Sequence, residues 1–68
     1  MNDYHALCNW LEDCTGATWS VINTWPTQIQ IDMPDSGSAD FLVAVCGLMR
    51  YRYTRAFNNP LCFVVDFE

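Results

Sequence analysis

The sequence predicts an α+β domain, one N-terminal helix packed on an antiparallel meander of about four strands, and three observations carry that expectation. Apolar residues recur at three- and four-residue spacing near the start, at Tyr4, Leu7, Cys8, Leu11 and Cys14, which is the period of a helix with one buried stripe. Residues 28–33 alternate strictly, with Ile29, Ile31 and Met33 on one side and Gln28, Gln30 and Asp32 on the other, the period of a half-buried strand. Close to the end of the chain, a trial hairpin alignment brings opposite charges together on one face and aromatic and aliphatic residues together on the other, as sheets favour.

The helix is expected from about Asp3 to Cys14. Asn2 or Asp3 can cap it, and an acid there sits well in the positive field of a helix N-terminus. Trp10 falls at the margin of the apolar stripe, which predicts partial exposure. Gly16 tolerates the left-handed conformation that closes a helix. Thr18 to Trp25 follows as a strand, rich in β-branched and aromatic residues, with Trp19, Val21 and Trp25 on one face. Pro26-Thr27 breaks it before the strand at 28–33. Pro34-Asp35-Ser36-Gly37-Ser38 has the composition of a turn.

Residues 39–57 admit two structures. As a helix capped by Ser38 they would present Leu42, Val45, Met49, Tyr53 and Ala56 as a stripe, giving an α-β-β-α-β order. The composition opposes this, since Val43, Val45, Cys46, Gly47, Tyr51, Tyr53, Thr54 and Phe57 are mediocre or poor helix formers. Strands are therefore expected, with a bulge or bend at Gly47 because one straight strand would be too long. The first half would pair with residues 28–33 and the second with 61–67. With Asn58-Asn59-Pro60 as a three-residue loop, Arg52 falls opposite Asp66 and Arg50 opposite Glu68. On the other face Tyr53 meets Val65, Tyr51 meets Phe67 and Arg55 meets Phe63. A loop one residue shorter would set both arginines against apolar residues.

At 68 residues the chain makes one compact domain, 1–68, near the lower size limit for independent folding. It is 51% hydrophobic and 15% aromatic with only 16% charged residues, more apolar material than a core of this size hides. The surplus predicts an exposed apolar patch of the kind that marks a partner or oligomer interface. The longest uncharged apolar run, Phe41 to Met49, is too short to span a bilayer as a helix. The acidic start lacks the basic head and apolar core of a signal peptide, so the chain is expected in the cytoplasm. Four cysteines, Cys8, Cys14, Cys46 and Cys62, each within or beside an apolar segment, are expected as free and mostly buried thiols.

Charge is laid out asymmetrically. Arg50, Arg52 and Arg55 are the only basic residues besides His5, and all six acids before residue 49 (Asp3, Glu12, Asp13, Asp32, Asp35 and Asp40) are uncompensated in sequence. A net charge of −5 argues against nonspecific binding to nucleic acid or anionic membrane, both of which need a cationic surface. The arginine strip, interleaved with Tyr51 and Tyr53, has the residue types that grip phosphates and stack bases. Set opposite Asp66 and Glu68, however, it is expected to be ion-paired. His5 with the four cysteines lacks the close ligand pairs of a structural zinc site. His5 and Cys8, three apart, lack an orienting third group for nucleophilic catalysis. No catalytic residue, metal or cofactor is expected.

These features point to a non-enzymatic interaction protein whose acidic surface and apolar patch engage a basic partner, suitably one that normally holds nucleic acid. The residues expected to carry this are Glu12, Asp13, Asp32, Asp35 and Asp40, with Trp10 or Trp25 as apolar anchors. In size and charge the chain resembles the compact inhibitors that phages make against host defences, including anti-CRISPR proteins. The likeness is compositional and covers no motif. It implies the host cytoplasm as the site of action for a phage-encoded chain. The alternatives are a structural subunit that self-associates as a homo-oligomer through unburied apolar surface, and an arginine-strip nucleic-acid binder.

Overall fold

A computed structural model describes residues 4–67. The elements run α1 (Tyr4–Thr15), β1 (Thr18–Thr24), β2 (Thr27–Asp32), α2 (Ser36–Met49), β3 (Arg52–Arg55) and β4 (Cys62–Asp66). The strands form one antiparallel-paired sheet in the order β1-β2-β4-β3. The α+β class and the four-stranded antiparallel sheet are as expected from sequence. Asn2, Asp3 and Glu68, expected as helix caps and as a partner of Arg50, lie outside the described residues.

α1 forms for the expected reason. Its stripe puts Cys8 and Leu11 in the core with Tyr4 and Leu7 packed against it, and Gly16 closes it at φ 80° with its N–H donating to Glu12 O at 2.9 Å. β1 then turns through a cis Trp25–Pro26 peptide into β2, pairing Thr18 with Asp32 and Trp19 with Ile31. The ladder slips between Val21 and Asn23. That slip and the early turn take Trp25 off the face it was expected to share with Trp19 and Val21.

Residues 36–49 are the main departure from expectation. They form a helix, not a strand with a bend at Gly47, and β4 rather than residues 41–46 pairs with β2. The α-β-β-α-β alternative is nearer the truth, although its helix stops at Met49 and Arg52–Arg55 remain a strand. Two physical facts account for this. Asp35, three residues before Ser38, is the cap, with extended backbone and a carboxylate that accepts from the Ser38 N–H at 2.7 Å. The topology also requires a crossover: β4 inserts between β2 and β3, so those two run parallel, and parallel neighbours cannot be joined by a tight turn. The buried stripe is Ala39, Leu42 and Cys46, with Val43 packed against it, not the stripe through Val45 and Met49. α2 closes on Arg50 in the left-handed conformation (φ 61°), where the Tyr51 N–H donates to Cys46 O at 2.9 Å.

The C-terminal hairpin has the expected register: Arg52 opposite Asp66, Tyr53 opposite Val65 and Arg55 opposite Phe63. Both helices cover one sheet face, where Ile29, Ile31, Phe63 and Val65 join the helix residues and Phe67 in a single core. Tyr51 packs on Phe67 with ring centroids 4.8 Å apart, whereas Tyr53, near Phe63, stays exposed at the sheet edge. The other sheet face, carrying Gln28, Gln30 and Asp32 of β2 and Cys62, Val64 and Asp66 of β4, has no helix over it among the described residues. The two edge strands differ. β1 is seven uncharged residues long, whereas β3 is four residues long and starts and ends on arginine.

Candidate functional site

The structure gathers most of the predicted acids at one end of the molecule. Glu12 and Asp13 lie in the last turn of α1. Asp32 closes β2 opposite Thr18, two residues beyond Gly16, and Asp35 caps the helix that begins next door. Asp40 lies just inside α2. Each of these acids that is bonded among the described residues has a neutral donor. Glu12 accepts from the Trp19 indole N–H at 3.1 Å, and Asp32 accepts from Gln30 Nε2 at 3.4 Å. The hydrogen bond from the Ser38 backbone holds the Asp35 carboxyl below its ordinary value. Glu12 and Asp13 oppose the α1 dipole, since carboxylates at a helix C-terminus meet its negative end.

Beside these acids the helices touch through apolar side chains. Trp10 and Phe41 meet with ring centroids 5.5 Å apart, yet Trp10 remains 45% exposed and Phe41 is exposed too. Asp13, one turn on from Trp10, and Asp40, next to Phe41, flank the contact. Trp10 and Trp25 both have the exposure expected of anchors, but they lie apart. Trp25, 85% exposed, stands on the β1–β2 turn at the opposite end of the sheet. Phe41 and Leu48, the latter 83% exposed, were missed. They are seven residues apart in α2 and share its outward side, so only a helical assignment for this segment could have singled them out.

The ion pair expected between Arg52 and Asp66 does not close, and the one expected between Arg50 and Glu68 lies outside the described residues. Arg52 faces Asp66 in the ladder, but the Asp66 carboxylate accepts instead from Gln28 Nε2 at 2.9 Å. Neither Arg50 nor Arg52 closes an ion pair with any described acid. Both line a cavity of about 420 Å3 together with Pro26 and Asp66. Arg55 is separate: its Nε donates to Pro60 O at 2.8 Å and its guanidinium lies 4.8 Å from the Phe63 ring centroid.

The four thiols are free, with Cys8 and Cys46 buried, Cys62 half-buried and Cys14 exposed. Burial pushes Cys8 and Cys46 each up to about 11, which keeps them protonated and inert at neutral pH. Cys62 is raised first by desolvation and then by the neighbouring Asp32 carboxylate. His5 stacks on Tyr4 at 4.3 Å and meets the edge of Trp19. Among the described residues no group of three His, Cys, Asp or Glu side chains could hold a metal ion, and no helix is long and apolar enough to cross a membrane. No family model, curated protein or solved structure matches the chain.

Proposed function

We propose that the chain is a small, acidic, non-enzymatic interaction module that inhibits a basic, nucleic-acid-handling protein, in the manner of phage proteins directed against host defences such as CRISPR systems. The observation that supports this best is the exposed Trp10–Phe41 contact flanked by Asp13 and Asp40, with Glu12, Asp32 and Asp35 nearby and no cation paired to any of them among the described residues. An apolar anchor with a charged surround is the usual anatomy of a binding surface. Carboxylates that no described cation neutralises keep their charge for the phosphate sites of a basic protein.

The test is capture of a basic host protein on the immobilised chain. Capture should weaken steeply as salt rises and be lost when Asp13, Asp32 and Asp40 are changed to lysine. Asp35 is spared because it caps α2. Capture insensitive to both salt and charge reversal would sink the proposal. A second reading, self-association as a homo-oligomeric subunit, is favoured by one observation: Phe41, Leu48 and Met49 leave the outward side of α2 apolar and exposed. Sedimentation at micromolar concentration tests it, and a monomer unaffected by Leu48→Glu excludes it.

A further inference from the structure

We propose that the cavity between Arg50, Arg52, Pro26 and Asp66 is a binding site for a small phosphomonoester, distinct from the acidic surface. The sequence alternation creates it. Tyr51 turns inward onto Phe67, which leaves the residues on either side, Arg50 and Arg52, to emerge together at the uncovered face of the sheet. The strand ladder then supplies the opposite wall. Arg52 lies across from Asp66, Asp66 across from Gln28, and Pro26 precedes β2 by one residue. Gln28 Nε2 donates to the Asp66 carboxylate at 2.9 Å, and neither guanidinium group pairs with a carboxylate among the described residues. Among the described residues that line it, two cations face one carboxylate, in a protein whose net charge is −5.

Three physical arguments favour an anion there. Guanidinium forks match the oxygens of phosphate and form charge-assisted bonds with it. The acids at the other end do not cancel the local field. α2 separates Asp35 from Arg50 by 14 residues, about 21 Å along a helix axis, whereas charges are screened over about 8 Å at physiological ionic strength. The carbonyls at the α2 C-terminus, which would repel an anion, are partly occupied: Cys46 O and Gly47 O accept from the N–H groups of Tyr51 and Arg50. Size narrows the ligand. At about 420 Å3 the cavity is far larger than a bare phosphate and within the range of about 300–1,000 Å3 for small-molecule sites. Pro26 supplies an apolar surface for the rest of an ester.

Adenosine 5′-monophosphate and inorganic phosphate are the probes, titrated calorimetrically into the full chain at low salt. The nucleotide should bind saturably and more tightly than inorganic phosphate. Arg52→Gln should weaken it by about tenfold or more, the usual loss of a charge-assisted hydrogen bond. Arg50→Gly should weaken it as much while raising the melting temperature, because glycine relieves the left-handed backbone at that position. Loss of binding in a more stable variant cannot be ascribed to misfolding. Asp66→Asn should tighten binding several-fold by removing the repelling carboxylate while leaving Gln28 an acceptor. Absence of saturable binding, equal affinity for the two probes, or binding indifferent to both arginine substitutions would each overturn the proposal.

Discussion

The two helices lie side by side on one sheet face, touch through Trp10 and Phe41, and each bury one cysteine, Cys8 or Cys46. Their outer sides differ. α1 turns His5, Asn9, Glu12 and Asp13 to solvent, whereas α2 turns out Phe41, Ala44 and Leu48 and has Asp40 as its single charge between Ser36 and Met49. Their ends differ as well. α1 stops on Gly16, which meets a positive φ without steric cost, while α2 stops on Arg50 at φ 61°. α2 begins on Asp35 and ends on Arg50, charges that suit its dipole, whereas α1 ends on two acids that do not. The inward sides obey the same packing demand. Only the outward sides and the ends are free to vary, and that is where a binding surface can be built at little expense to folding.

The largest effects should be equal in the two helices. Leu11→Ala and Leu42→Ala each remove a fully buried side chain and should each lower unfolding stability by about 2–5 kcal/mol, measured by denaturant titration. A much smaller loss at Leu42 would break the equivalence of the inner faces. The thiols sharpen the same point at alkaline pH. A folded-state pKa raised from 9.0 to about 11 means that the unfolded chain ionises first. Stability is therefore full below pH 9.0 and declines as pH rises toward about 11. Cys8→Ala and Cys46→Ala should each remove a similar part of that decline, although each also leaves a small void.

Opposite signs are expected at the helix ends. Gly16→Ala should cost about 1 kcal/mol and Arg50→Gly should gain somewhat less than about 1 kcal/mol, since the left-handed region penalises a side chain and favours glycine. Gly47→Ala tests the helical state of its segment. Nothing lies within 4 Å of a Cβ built there, so alanine should stabilise by about 0.5–1 kcal/mol. A loss of stability would point to the bend that a strand would need at Gly47. The smallest effect is that of Asp35→Asn at neutral pH. Its carboxyl is held below the ordinary 3.8 by the Ser38 N–H. The advantage of aspartate over asparagine should therefore be full above pH 3.8 and vanish as pH falls through the lowered value.

The difference between the helices also explains what was legible in the sequence. α1, expected from Asp3 to Cys14, spans Tyr4–Thr15, because polar residues on its outer side leave the apolar period visible. The 28–33 strand and the register of the last hairpin were legible for the same kind of reason: each has one face that must be buried, and a one-residue slip would invert it. α2 is apolar almost all round, so its period is hidden, and its β-branched residues argue for a strand. Its start signal, Asp35 three residues before Ser38, resembles a turn because capping and turn formation use the same side-chain chemistry. The acids could be picked out from charge and the exposure of Trp10 from its position at the margin of the stripe, whereas Trp25 was expected on a strand face that it does not share. The open pair between Arg52 and Asp66 could not be picked out, since Asp66 accepts instead from Gln28, 38 residues away in the chain.

The unequal sheet edges bear on how far copies of the chain could assemble. The β3 edge is short and begins and ends on arginine, and like charges brought together across such an edge discourage strand addition. The uncharged β1 edge has no such guard. A sheet with one guarded and one open edge cannot add strands indefinitely. Two copies meeting β1 to β1 about a twofold axis would use up both open edges and present only guarded ones, so growth ends at a closed pair instead of running on into a fibre.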